Sequence, residues 1–259
     1  MEAADQEALQ MISFVEKTML ECDYQGGGSM AVTKEDIQLF EKNRLRDDDT
    51  FQFECLRCGS CCRKRKDAVV LNGPDLFRVA RALGIAPAET AHKHTRLNIG
   101  SESHLPVLVL RERLDGSCSL LRNGRCTVQQ NKPAVCALFP LGRMYDSRDN
   151  QFHYFWQGCS MGKTGPAGKV WTLREWLDEF GLRESEEDVK AWTQLARGLA
   201  AVTHPMKDGQ MSKAMLETLL NAIYLDYDIS QPYAEQVQAH MVRLKTIFPD
   251  KFKKKVSFD

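Results

Sequence analysis

The chain has no surplus of either charge, no long apolar run and no internal repeat, and each absence removes a class of function. Lysine plus arginine number 35 and aspartate plus glutamate number 35, so the net charge is zero. That balance argues against a protein that works mainly by attraction to nucleic-acid phosphates. The longest apolar runs, such as Leu105 to Leu110, are far short of the roughly 20 residues that cross a bilayer. The opening Met1-Glu-Ala-Ala-Asp5 is acidic and lacks the basic-then-apolar layout of an export signal. No glycine-rich fingerprint follows a strand, which excludes a Rossmann cofactor site. Gly158 to Thr164 looks like a phosphate-binding loop but is one residue short, with Gln157 where the first glycine belongs. A cytoplasmic, membrane-free protein is expected, in which thiols stay reduced.

Cysteine is what the chain has in quantity. Four of its nine cysteines fall in Cys55-Leu-Arg-Cys58-Gly-Ser-Cys61-Cys62, and Cys118, Cys126, Cys136 and Cys159 follow. Cys22 stands apart as a lone thiol in the N-terminal segment. In a reducing compartment, C-x2-C-x2-C-C spacing reads as a metal-thiolate site rather than a disulfide framework. Two intervening residues let a tight turn aim both sulfurs at one centre, and Gly59 supplies the backbone freedom for it. The odd cysteine count also speaks against complete pairing.

Around this region the pattern alternates between short strands and helices. Leu9, Ile12, Val15 and Met19 mark an amphipathic helix over 5–22, ending at the linker Gln25 to Ser29. A second helix is expected over 33–45. Val69 to Leu71 reads as a short strand, and Pro74 and Gly84 bracket a helix through Leu83. Asn123-Gly124 marks a hairpin turn. A two-residue loop there would place Cys118 and Cys126 on opposite faces, and a bulged three-residue loop on the same face. A further hairpin is expected around 146–150, delivering Cys159. From the capping box Thr172 to Glu175 the chain turns helical, with helices to Gly181 and over 185–202, 210–226 and 231–247. Trp171, Trp176 and Trp192 read as packing anchors.

Three thiolates at C-x2-C-x2-C spacing serve a four-iron cluster, and the same spacing serves tetrahedral zinc. Neighbouring side chains diverge in helix and strand, so Cys61 and Cys62 are expected to face different centres, or different metals of one larger cluster. Eight clustered cysteines suffice for two four-sulfur sites. Either metal leaves the sites negatively charged, which gives Arg57 and the run Arg63 to Lys66 a supporting role, offsetting charge and donating to sulfur. The basic tail Lys251 to Lys255 reads as a solvated terminus.

The motif Phe53-x-Cys55-x2-Cys58-Gly59-x-Cys61-Cys62, with Leu71 and Asp75, resembles the opening of the YkgJ-type cysteine-cluster family, the CxxCxxCC zinc- or iron-chelating domain. The resemblance continues through Cys118 to Cys126, Lys132-Pro133-Ala-Val-Cys136, Phe139-Pro140 and Gly158-Cys159-Ser-Met-Gly162. Ala137 and Ser160 depart from the arginine and proline usual there. The resemblance implies metal binding through all eight cysteines. Flagellin lysine-N-methylases look like relatives that carry an iron-sulfur cluster, which with the C-x2-C-x2-C spacing favours iron-sulfur over zinc and implies S-adenosylmethionine-dependent methylation of a protein substrate as an alternative. The expected fold is an α-rich α+β protein: an N-terminal helix (1–25), a linker with a short helix (26–50), a cysteine-cluster domain (51–165) and a helical C-terminal domain (166–259).

Overall fold

The computed structural model describes residues 40–63, 69–100, 103–146, 151–159, 163–164, 168–205 and 211–248. The expected helix over 5–22, the linker Gln25 to Ser29, Cys22, Lys64 to Lys66 and the basic tail lie outside the described residues. Of the helix expected over 33–45, residues 40–42 are helical, and the chain passes into strand β1 at Arg44–Leu45. The fold is α+β, with short antiparallel sheets and helices. No described helix is long and apolar enough to cross a membrane. The described residues divide into two compact units, each assembled from separated stretches: one takes those within 70–111 and 185–259, the other those within 13–69 and 112–184.

The first unit is built on helices. Its helix α1, Gly73–Leu83, begins where Asn72 Oδ1 accepts from the Asp75 N–H at 2.7 Å and Asp75 Oδ2 accepts from the Asn72 N–H at 3.4 Å. This reciprocal cap satisfies two of the amides that every helix start leaves open. Strands β3 (Val70–Leu71), β4 (Thr95–Ile99) and β5 (Pro106–Leu110) form an antiparallel sheet in the order β3-β5-β4, and helix α2, Pro87–His94, leads into β4. Helix α5, Glu186–Thr203, buries Val189, Trp192, Leu195, Ala196, Leu199 and Val202. That spacing draws one apolar stripe along the helix. Helix α6, Lys213–Leu220, continues into a π-helical turn at Asn221–Leu225, and α7, Tyr233–Ile247, packs along α5.

The second unit carries the eight cysteines between short strands. Strand β2 (Thr50–Glu54) lies between β10 (Lys163–Thr164) and β11 (Val170–Thr172), and β9 (Gln151–Trp156) lies between β1 and β8 (Leu141–Asp146). The expected hairpin before Cys159 is thus β8–β9. Helix α4, Leu173–Glu179, starts at Thr172 with the expected capping box to Glu175. Its Trp176 sits edge-on to Phe51, Phe53, Trp171 and Phe180 and donates its indole N–H to the Leu138 carbonyl at 3.2 Å. With Leu141, Tyr154, Leu173 and Leu177 these residues form the apolar core of the unit, and Cys159 packs against it.

Candidate metal centre

Strand β2 delivers Cys55 at its end, and two residues with positive φ then fold the first cysteine loop: Arg57 at 52° and Gly59 at 76°. The Cys62 N–H donates to the Gly59 carbonyl at 2.9 Å, closing a single 3₁₀ turn at Ser60–Cys62 before Arg63 becomes extended. Backbone bonds tie this loop to the next cysteine. Arg63 bridges Ser117, and the Cys118 N–H donates to the Cys62 carbonyl at 2.8 Å.

The Cys118 segment is fixed by its own polar frame. Asp115 Oδ1 accepts from the Ser117 N–H at 2.9 Å and from its hydroxyl at 2.6 Å, and Arg113 donates to the Ser119 carbonyl at 2.9 Å. Strands β6 (Leu121–Arg122) and β7 (Arg125–Cys126) are joined by Asn123-Gly124, with φ of 49° and 74°. Two consecutive positive φ values make the two-residue hairpin turn that matches strand twist. Cys126 faces Leu121 across this ladder, whereas Cys118 precedes the hairpin and bridges Glu112. The face rule applied to both cysteines from sequence therefore governs only Cys126. Helix α3, Ala134–Leu138, carries Cys136, and Cys159 follows β9 after Gly158.

None of the eight described cysteines is in a disulfide. Cys55, Cys58 and Cys61 are exposed, Cys62, Cys126, Cys136 and Cys159 half-buried, and Cys118 buried. Cys61 and Cys62 do not diverge: their Sγ atoms stand 3.7 Å apart. The divergence rule holds inside a continuing helix or strand. Here the turn ends at Cys62 and the backbone changes direction at Arg63, so both sulfurs reach one side.

The electrostatics follow from this crowding. The Cys62 thiol is pushed far above its ordinary value by its hydrogen bond with Cys61, by burial, and by the charges of Cys61, Cys136 and Cys118. Cys58 is held below its ordinary value, chiefly by its hydrogen bond with the Ser60 side chain 3.4 Å away. The Arg57 backbone N–H donates to Cys55 Sγ at 3.4 Å. Thiols that oppose one another's ionisation become ligands when a cation takes up their charge.

Among the described residues, no three histidine, cysteine, aspartate or glutamate side chains come together as a group that could hold a metal ion. The Cys61–Cys62 pair nevertheless fits a metal. Four thiolates about 2.3 Å from one ion stand roughly 3.8 Å apart along each tetrahedral edge, close to the 3.7 Å found. His92 and His94 belong to α2, in the other unit. The polar frame of Asp115, Ser117 and Arg113 was missed in the sequence. Its signal was Asp115-Gly-Ser117, since an aspartate two residues before an amide folds such turns.

Residues 54–160 match the family model CxxCxxCC, whose description reads "Putative zinc- or iron-chelating domain". No curated protein and no solved structure matches the chain.

Proposed function

We infer, from a chain whose residues 54–160 form a domain of the CxxCxxCC family, that its cysteines hold zinc or iron as single tetrahedral thiolate-bound ions. The observation that carries this reading is the 3.7 Å separation of Cys61 and Cys62 Sγ. Vicinal sulfurs at that distance suit two ligands of one ion. On a four-iron cluster they would belong to different irons and stand farther apart. Cys118 and Cys136 are proposed to complete this centre, because their charges act on Cys62 and the Cys118 backbone is tied to the Cys62 carbonyl. Cys55, Cys58, Cys126 and Cys159 are the proposed second set.

When bound, such an ion supplies charge neutralisation and cross-linking of loops. The residues of this chain do the rest. Gly59 turns the first loop, Ser60 keeps Cys58 toward its thiolate form, and the Asp115-Ser117 turn fixes the approach of Cys118. The iron-sulfur reading retains the C-x2-C-x2-C spacing of Cys55, Cys58 and Cys61 in its favour. S-adenosylmethionine-dependent methylation has no observation in its favour among the described residues, so the proposal ends at metal.

The deciding experiment is anaerobic purification of the full chain followed by metal and acid-labile sulfide analysis. Zinc or iron at about two ions per chain, without labile sulfide, is expected. Labile sulfide in proportion to iron would replace single ions with a cluster. A protein that takes up neither metal under reducing conditions would sink both readings.

A further inference from the structure

One guanidinium in the cysteine unit reaches two turns at once. A Cβ built on Gly59 would lie 2.9 Å from Arg63 Nη1, and one built on Gly124 would lie 3.9 Å from Arg63 Nη2. Gly59 sits between Cys58 and Ser60 in the first cysteine loop, and Gly124 forms the β6–β7 turn two residues before Cys126. Both glycines have positive φ, 76° and 74°. A side chain at Gly59 would be strained by its backbone and would press on the guanidinium. The Arg63 backbone adds a third tie, its bridge to Ser117 beside Cys118. No salt bridge among the described residues engages Arg63, although its side chain carries a full charge.

We propose that Arg63 is a positioning residue that clasps the Cys55–Cys62 loop to the turn before Cys126 and holds its charge against that loop. This rests on the metal-thiolate reading above. An ion of charge two with four thiolates leaves a net charge of minus two, so a nearby cation favours the loaded state. The guanidinium is suited to this because its two amino ends can rest on different neighbours, whereas a lysine ammonium is a single point. Gly59 leaves room for it on the first turn, and a side chain at Gly124 would only come into ordinary contact with it. The clasp joins Cys55, Cys58, Cys61 and Cys62 to the hairpin that carries Cys126, so its effect falls on how readily distant thiolates meet.

The test compares wild type, Arg63→Gln and Arg63→Lys, each as the full chain under anaerobic reducing conditions. Zinc affinity is measured by competition with a chromophoric chelator. Cobalt(II) serves as a spectroscopic probe, since its ligand-field bands lose intensity when the site departs from a thiolate tetrahedron. Arg63→Gln should weaken zinc about 10-fold or more, the scale of supporting residues in metal sites, and should dim the cobalt bands. Arg63→Lys should recover only part of both. Far-UV circular dichroism checks folding, and where Arg63→Gln loses native signal the Arg63→Lys comparison decides. If wild type binds zinc and Arg63→Gln stays within twofold of it, the clasp is wrong and metal binding stands. If Arg63→Lys equals wild type, charge alone suffices and the two-ended contact is overturned. If wild type binds neither zinc nor cobalt, the underlying metal reading fails instead.

Discussion

The helical unit and the cysteine loops of this chain are ordered by different forces. In the helical unit, Leu76, Val79, Leu195, Leu199, Leu219 and Val237 are at 0% exposure, and burial of such side chains contributes roughly 1.5–3 kcal/mol each. The first cysteine loop has almost nothing of the kind. Its 3₁₀ turn buries no residue, Cys55 and Cys58 are exposed, and Leu56 is 48% exposed. Hydrogen bonds to backbone give that loop its shape with a modest net gain per bond, and on the metal reading proposed above an ion supplies the rest of its order. A hydrophobic core tolerates loss of one contact, whereas a four-ligand site is lost when its ion leaves.

The sharpest way to break this contrast is to remove the metal. Structural thiolate zinc sites contribute on the order of 10–16 kcal/mol of binding free energy. Chelation under reducing conditions should therefore raise amide exchange sharply at 55–63 and 117–126 while leaving α5 and α7 protected. Mass spectrometry of exchanged peptides reads this directly. Loops that remain protected after complete metal loss would mean that their backbone bonds suffice, and the contrast would dissolve.

The reverse experiment perturbs the helical unit alone. A Cβ on Gly73 would run into Tyr233 Oη and would meet Trp192 Cδ1 at 2.5 Å and the Ile223 carbonyl oxygen at 2.6 Å. The last is backbone and cannot swing aside. Gly73→Ala should destabilise this unit by about 1–3 kcal/mol through overpacking, measured by urea unfolding with tryptophan fluorescence. Bound metal per chain should not change. A neutral effect would show that the α1 start and the π-helical turn yield more readily than close packing allows.

These differences also explain what could be read in the sequence. Helix α1 was legible to the residue because its signals are local, Pro74 in the first turn and Gly84 at φ 66°, although the cap at Asn72 went unread. The capping box of α4 and the span of α5 were legible for the same reason. The cysteine positions could be named from spacing, yet the meeting of Cys61 with Cys62 was misjudged, because it depends on where a three-residue turn ends. The approach of the Arg63 side chain to Gly124 was beyond reach, since proximity between positions 63 and 124 leaves no periodic trace. Likewise, the grouping of 70–111 with 185–259 depends on which apolar faces meet, and a helical period marks a face without naming its partner.

The smallest expected effect tests whether burial outweighs charge pairing inside the helical unit. Asp188, in the first turn of α5, has its carboxyl pushed above the ordinary carboxylate range by burial, against the Ala234 backbone N–H and the charges of Arg81 and Arg78 that favour ionisation. The folded state therefore holds the proton more tightly than the unfolded chain does. Stability then falls as pH rises from the ordinary carboxylate value through the raised one, and at neutral pH the ionised group is a net cost. Asp188→Asn keeps an oxygen for the Ala234 N–H and removes the charge. Its melting temperature should exceed that of wild type at pH 7, and the gain should vanish below about pH 3, where both states of the wild-type carboxyl are protonated. A variant less stable than wild type at pH 7 would show that the two arginines, with the helix start, repay the burial of this charge in full.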